Sequence, residues 1–181
     1  TDMSTVQKIN FEPVTDILPV QRRDFALAVP SLADPLNAVA LVDGEWMTID
    51  SSYKLVRAAD ITVLGTAGAA GRATVRTFPL WAERGRYDVR AMSETKMPIL
   101  WLGDYEFDTR IFDAAAVVAA GAAITTVMQP LKVATIAIGT RNYVGLVGHG
   151  GSADTAPVAG HVSRLPASNG GKLRFISGMR L

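Results

Sequence analysis

The sequence lacks cysteine entirely, so disulfides, thiolate metal ligands and a cysteine nucleophile are excluded. It also lacks a long apolar run, because the longest, residues 114–124, is far shorter than the roughly 20 residues that a transmembrane helix needs. Neither sign of charge predominates, since 18 basic and 17 acidic residues leave a net charge of +1. Nucleic acid and membrane are therefore not expected as direct partners.

Apolar residues, in contrast, are abundant for a chain without a membrane span. They make up 49% of the 181 residues, and the mean hydropathy is +0.21. Obligate subunit interfaces resemble a domain core cut in half, so they can absorb surplus apolar surface. The composition predicts an oligomer.

The first 36 residues combine scattered apolar positions with four prolines, which fit neither a long helix nor a central strand. We predict an extended N-terminal arm over residues 1–36 that packs on a partner, and a main domain over residues 38–181 that folds without it. A solvated linker is the alternative, and a short helix over residues 18–28 also fits. The candidate partner-binding residues of the arm are Ile9, Phe11, Ile17, Leu18, Val20 and Phe25.

From residue 38 onward, short segments rich in β-branched and aromatic residues alternate with turn residues. Asp43-Gly44 is typical of a two-residue hairpin turn in which both central residues have positive φ. Residues 114–128 are ambiguous, and strands around a bend are favoured over helix. The expected fold is mainly β, a small antiparallel barrel built as a meander. The predicted strands are residues 38–41, 45–49, 54–57, 61–64, 99–102, 105–107, 133–138, 143–147, 158–165 and 172–176.

A glycine motif at Gly65, Gly68 and Gly71 follows a predicted strand, as in the dinucleotide cradle of atypical short-chain dehydrogenases. Pro79 falls inside the crossover helix that this cradle requires, and no Tyr-x-x-x-Lys pair or further βα unit follows. A loop at the rim of a barrel is the preferred interpretation, and no cofactor is expected. An NAD(P)-binding enzyme remains the alternative.

Other catalytic candidates are few. His149 and His161 lie among small residues, and Asp154 is near the first, but no Gly-x-Ser-x-Gly nucleophile motif is present. We interpret the glycines after His149 as a surface turn.

Four carboxylates lie close together in sequence, and strand alternation places three of them on one face. Such a row can bind a metal, but a solvated strand face or a partner for arginines of a neighbouring subunit is the preferred interpretation. The three tryptophans lie in apolar strands and are expected in the core or an interface. These residues are Asp104, Glu106, Asp108 and Asp113, and Trp46, Trp81 and Trp101.

Several strings resemble the head decoration (cement) proteins of tailed bacteriophages, over about residues 38–181. They are LVDGEWMTID (41–50), FPLWAERGRYDVRAM (78–92), GDYEFDTRIFD (103–113), RLP (164–166) and NGGKLRF (169–175). The resemblance implies a small β-barrel without catalytic activity, commonly a homotrimer, that binds the major capsid protein on the outer surface of the virion. Because the N-terminal residues show no secretory signal, synthesis in the host cytoplasm is expected. Another head or tail structural protein is a second alternative.

Overall fold

The structure is a computed structural model that describes residues 11–14, 22–26, 43–49, 52–58, 78–79, 96–100, 105–115, 121–154 and 156–177. These residues form a mainly β fold, which confirms the predicted fold class at that level. The helical segments that lie completely among them are two single 3₁₀ turns, Gly151–Ala153 and Pro166–Ser168, and Ala58 also has 3₁₀ geometry. In the described part of the chain, no helix has the length and apolar character required to span a bilayer.

Within the described residues, twelve strands form three sheets, and each pairing between these strands is antiparallel. The largest sheet has the order β1-β7-β12-β11-β9-β10-β8, and the smaller sheets have the orders β2-β6 and β4-β3-β5. The strands are β1 Glu12–Pro13, β2 Arg22–Ala26, β3 Trp46–Ile49, β4 Leu55–Arg57, β5 Phe78–Pro79, β6 Lys96–Leu100, β7 Glu106–Thr109, β8 Gly121–Ala122, β9 Pro130–Ile138, β10 Arg141–His149, β11 Gly160–Arg164 and β12 Leu173–Ser177.

The four strands of the last third were predicted correctly, because β9 to β12 overlap the expected segments. Gly139 has a φ of +63°, which suits the tight turn between β9 and β10. The expected meander is wrong for the large sheet. β7 lies between β1 and β12, so strands distant in sequence are neighbours.

Residues 121–129 correct the expectation of a strand around residues 124–127. Only Gly121–Ala122 is a strand, and the chain then bends. The Gln129 side chain stabilises the bend, since its Oε1 accepts the N–H groups of Thr125 and Thr126 at 2.9 and 3.3 Å and its Nε2 donates to the Ala123 carbonyl at 2.7 Å. A side chain therefore satisfies backbone groups that a strand would pair.

The main core lies on one face of the large sheet. Along β12, Leu173, Phe175 and Ser177 are buried, as the period of two requires. Phe107 of β7 lies beside Phe175 with ring centroids 5.6 Å apart, and the ring centroids of Trp46 and Phe175 are 6.0 Å apart. The prediction that Trp46 is a packing residue is confirmed, whereas Trp81 and Trp101 lie outside the described residues.

Phe11 differs from the prediction for its own position, since it packs within its own chain and not on a partner. Its ring is only 5% exposed and stacks on Phe107 with centroids 4.5 Å apart, while β1 pairs with β7. Phe11 is thus part of the core of its own chain and is not available to a partner. A main domain that begins at residue 38 would lose this ring.

Residues 22–26 correct the alternative of a short helix over residues 18–28, because they form β2 and pair with β6. Phe25 is 8% exposed, and the Arg23 guanidinium lies 5.1 Å from the centre of its ring. Phe25 is therefore also buried within its own chain. The other four candidate partner-binding residues, Ile9, Ile17, Leu18 and Val20, lie outside the described residues.

The chain that leaves β7 crosses to β10, at the other side of the large sheet. Leu146 donates its N–H to the Ile111 carbonyl at 3.1 Å, and the N–H of Asp113 donates to the Leu146 carbonyl at 3.0 Å. Gly145 permits this approach, since a Cβ there would lie 2.5 Å from the Ile111 carbonyl oxygen. Hydrogen bonds therefore link β7, β12, β11, β9, β10 and residues 111–113 in succession.

The turn before β3 contains Asp43 and Gly44, as predicted for this segment. Gly44 has a φ of +87°, the positive value that the predicted turn requires of its glycine. A Cβ on Gly44 would lie 2.7 Å from the Phe11 Cβ, so the glycine also admits the aromatic ring. The predicted partner strand, residues 38–41, lies outside the described residues.

Candidate functional site

The face of β7, β11 and β12 that points away from the core carries a group of polar side chains, here called the polar face. Its members are Glu106, Asp108, Ser163, Asn169 and Arg174. They lie together because the residues that alternate with them face the core and because the register places Arg174 opposite Asp108. The predicted alignment of carboxylates 106 and 108 on one face is confirmed, and Asp104 lies outside the described residues.

Asp108 and Arg174 form a bidentate ion pair within the polar face. Arg174 donates from Nε to Oδ1 and from Nη2 to Oδ2, both at 2.8 Å, and Asn169 Nδ2 donates to Oδ1 at 2.8 Å. The hydrogen bond from Arg174 lowers the pKa of Asp108 below its usual 3.8, although burial opposes the shift. The same bond raises the pKa of Arg174. The arginine that engages this carboxylate therefore belongs to the same chain.

The other carboxylates of the predicted row have separate roles. Glu106 accepts a hydrogen bond from the Ser163 hydroxyl at 2.7 Å. Asp113 lies beyond the strand, where its Oδ1 accepts the N–H of Ala115 at 2.9 Å in a local turn. Among the described residues, no three histidines or carboxylates converge in a way that could hold a metal ion.

A buried ion pair lies at the end of the β9–β10 hairpin. Lys132 Nζ is 2.6 Å from Asp154 Oδ2, and the two side chains are 6% and 3% exposed. The N–H groups of Gly150 and Ala156 donate to the two oxygens of Asp154 at 3.0 and 3.1 Å. Burial acts to raise the pKa of Asp154, but the hydrogen bonds from Lys132 and these amides outweigh it, and the net shift is downward.

His149 has both ring nitrogens engaged in this same loop. Nδ1 accepts the N–H of Gly151 at 3.1 Å, so Nε2 carries the proton of the neutral ring and donates to the Ala156 carbonyl at 2.9 Å. Asp154 Oδ1 is 4.0 Å from Nε2, beyond hydrogen-bond distance. The ring lies at the end of β10 and joins the two ends of the loop, and this geometry does not leave it a free nitrogen to act as a base.

His161 lies within β11, opposite Pro130 of β9 and Ile176 of β12. It is 4% exposed, and its Nδ1 has no hydrogen-bond partner among the described residues. Burial lowers its pKa, which favours the neutral ring. The structure therefore separates the two predicted histidines and gives them different surroundings.

The sequence did not indicate the buried ion pair between Glu45 and Arg57. Glu45 is completely buried, and its Oε1 forms the ion pair and also accepts the N–H of Val144 at 3.3 Å. It therefore connects the β3–β4 hairpin to the outer edge of β10. The only sequence signal is a single carboxylate beside the apolar residues of β3, and such a position is ordinarily exposed.

No family model, no curated protein and no solved structure matches the chain. The glycine motif at Gly65, Gly68 and Gly71 lies outside the described residues. In the described part, the ion pairs join strands or loops of one chain and so stabilise its fold.

Proposed function

We propose that the chain is a structural capsid decoration (cement) protein of a tailed bacteriophage. It would bind the outer surface of the head and stabilise contacts between subunits of the major capsid protein. The support is the resemblance over residues 38–181 together with the mainly β fold. In this proposal the protein has no catalytic role and no cofactor, and it acts on the virion after synthesis in the host cytoplasm.

The observation that carries the proposal is the succession of hydrogen bonds from β7 through the large sheet to β10 and back to residues 111–113. We propose that this succession closes a small barrel, since the chain that leaves one side of the sheet bonds to the other side. Buried ion pairs stabilise the same unit at Lys132 and Asp154 and at Glu45 and Arg57. A closed unit with buried ion pairs suits a protein that must stay folded while it stabilises a capsid under internal pressure.

The N-terminal residues retain a role in this proposal, with one change. Phe11 and Phe25 are buried in their own chain, so the candidate contacts with the capsid or a neighbouring subunit are Ile9, Ile17, Leu18 and Val20. In this proposal Phe11 anchors the N-terminal residues to the main core, and these four side chains contact the partner. A homotrimer, as the resemblance implies, would bring three such segments to one site on the lattice.

A capsid-binding experiment tests the function. Purified protein is mixed with heads that lack decoration, and bound protein is measured by co-sedimentation and located by cryo-electron microscopy. We expect saturable density on the outer surface and a higher temperature of shell dissociation. Absence of binding to heads of every candidate phage, or binding of NAD(P) by a monomeric chain, would contradict the proposal.

The double variant Ile17→Asp/Leu18→Asp tests the N-terminal contacts. We expect it to remain folded and to bind heads more weakly, because each buried apolar side chain contributes about 1.5–3 kcal/mol before ordering costs. Thr125→Asp/Thr126→Asp is the matched control, since these threonines lie on an exposed bend. Equal binding by both variants would remove residues 17 and 18 from the interface.

A further inference from the structure

The outer edge of β9 is only partly covered by its neighbour β11. The register places Gly160 opposite Leu131 and His161 opposite Pro130, and Ala159 donates its N–H to the Leu131 carbonyl at 2.8 Å. β9 continues to Ile138, and no described strand pairs with it on this side beyond Leu131. Residues 133–138, here called the open edge, therefore extend past the covered part of the sheet.

The backbone orientation along the open edge follows from β10. The N–H groups of Val144 and Leu146 donate on the side of β10 away from β9, to Glu45 and to Ile111. Residues opposite one another in an antiparallel pair point their backbone groups alike, either both inward or both outward. Thr135 and Val133 lie opposite Val144 and Leu146, so their N–H and C=O groups point away from β10.

The same alternation applies to Ala137, two residues further along β9. The open edge thus presents the backbone groups of Val133, Thr135 and Ala137, and none of them has a hydrogen-bond partner on this side among the described residues. The side chains of Thr135 and Ala137 are exposed as well. A row of such groups is a template for another strand.

The open edge lacks the features that ordinarily prevent strand addition. Residues 133–140, VATIAIGT, include no charged residue and no proline. The terminal strand β1 of the large sheet differs, because its two residues include Pro13, which has no N–H to donate. The contrast indicates that the β9 edge is suited to a partner.

We propose that the open edge pairs with the same edge of a second copy of this chain, antiparallel and about a two-fold axis at Thr135. This register places Thr135 opposite itself and Val133 opposite Ala137, so all the outward backbone groups are paired. A register centred one residue later would require Gly139, whose φ of +63° ends the strand. A register shifted in the opposite direction would require the Leu131 carbonyl. That carbonyl already accepts the Ala159 N–H, so this register is disfavoured as well.

Charge and apolar contacts favour a second copy as the occupant. In this register Lys132 lies opposite Ile138 of the other copy, so the two lysines do not face one another, and each is paired with its own Asp154. Ile136 and the partly buried Ile138 belong to a small apolar cluster beside the edge. Pairing would place Ile136 of each copy opposite Ala134 of the other and would extend this cluster across the axis.

This two-fold contact does not depend on the proposed capsid function. A trimer would be compatible with the two-fold contact if its three-fold contacts used a surface other than the open edge. On a shell, the two-fold contact would join neighbouring trimers. Self-association in the absence of capsid tests this inference separately from capsid binding.

A single cysteine provides the geometric test in a chain that has none. In the proposed register the two Thr135 residues form a hydrogen-bonded pair with Cα atoms about 5.5 Å apart, within the range that a disulfide spans. We expect Thr135→Cys to form a covalent dimer on mild oxidation, and Thr126→Cys, on an exposed bend, to remain largely uncrosslinked. Equal crosslinking of both variants would overturn the proposed register.

A charge-exchange experiment measures the same contact without crosslinking. Thr135→Lys and Thr135→Glu each place like charges opposite one another, so we expect the dissociation constant of the two-fold contact to rise roughly fivefold in each. A mixture of the two variants should regain the affinity of the parent, and Thr126→Lys should not change it. Sedimentation equilibrium measures all four. A parent chain without the two-fold association at any concentration, or no rescue in the mixture, would overturn the proposal.

Discussion

The two outer edges of the β9–β10 hairpin differ in how far their backbone groups are hydrogen-bonded. On the β10 side, the backbone is covered at three successive outward positions by different groups: the Glu45 carboxylate at Val144, residues 111–113 at Leu146, and β8 at Gly148. On the β9 side, cover ends at Leu131. A strand edge is therefore covered one residue at a time, since each outward backbone group needs its own hydrogen-bond partner. The uncovered edge is the natural place for a further strand.

The largest effect is expected from Glu45→Ala, which opens the covered edge. The variant leaves Arg57 buried without its carboxylate and removes the acceptor of the Val144 N–H. Loss of one partner of a buried ion pair costs about 3–5 kcal/mol. Urea unfolding should show a decrease of this size in the free energy of unfolding.

Two variants control for this effect. Glu45→Gln keeps an oxygen for Val144 and removes only the charge, so it should cost less than the alanine. Glu106→Ala removes a carboxylate from the polar face, where the hydroxyl of Ser163 is its hydrogen-bond donor. If Glu45→Ala were no more destabilising than Glu106→Ala, the Glu45 carboxylate would not seal the edge.

Gly145→Ala tests the middle of the covered edge. The added Cβ would lie 2.5 Å from the Ile111 carbonyl oxygen and 2.6 Å from Ile136 Cδ1, so residues 111–113 must move away. Overpacking of this kind typically costs about 1–3 kcal/mol. Gly139→Asn is the control, because nothing lies near its Cβ and asparagine tolerates positive φ. Similar thermal midpoints for the two variants would show that the contact at Gly145 is not close.

Asp108→Asn tests the polar face, on the far side of the sheet from β10. Arg174 lowers the pKa of Asp108 below 3.8, so the carboxylate stabilises the fold above that pH, and this contribution is lost as the pH falls through the folded-state pKa. Because the pair is partly exposed, we expect a cost of about 1 kcal/mol at pH 7. Urea unfolding at a series of pH values should show that the free energies of unfolding of the variant and the parent become equal in acid. A difference that stayed constant below pH 3.8 would mean that the ionised carboxylate is not the cause.

Local patterns in the sequence predicted the strands of the last third but not their neighbours. Alternation along β12 and the turn at Gly139 require only nearby residues, and the structure confirms both. The pairing of β12 with β7 joins segments more than 60 residues apart, and single-residue patterns do not encode such a ladder. The sheet order was therefore beyond reach of the sequence alone.

The candidate sites show the same limit. The sequence showed Phe11 to be an apolar residue in a segment rich in proline. Its stacking on Phe107 depends on the fold, so the sequence alone did not predict that contact. The alignment of Glu106 and Asp108 was predicted from strand alternation, whereas Arg174 as the partner of Asp108 was not. Glu45 gave no signal, because the burial of a charge depends on its counter-ion and on distant Val144.

The smallest perturbation, amide hydrogen exchange in the unmodified chain, compares the two edges directly. At low concentration, the N–H groups of Val133, Thr135 and Ala137 should exchange fast, because they point to the open edge, while those of Ala134 and Ile136 should be protected by β10. On β10, the amides of Val144 and Leu146 should be protected although they point outward, since Glu45 and Ile111 accept their hydrogens. Raising the concentration should slow exchange at the three odd-numbered positions alone if two copies pair there. Uniform protection along β9 at low concentration would show that its edge is already covered, and the contrast between the two edges would be lost.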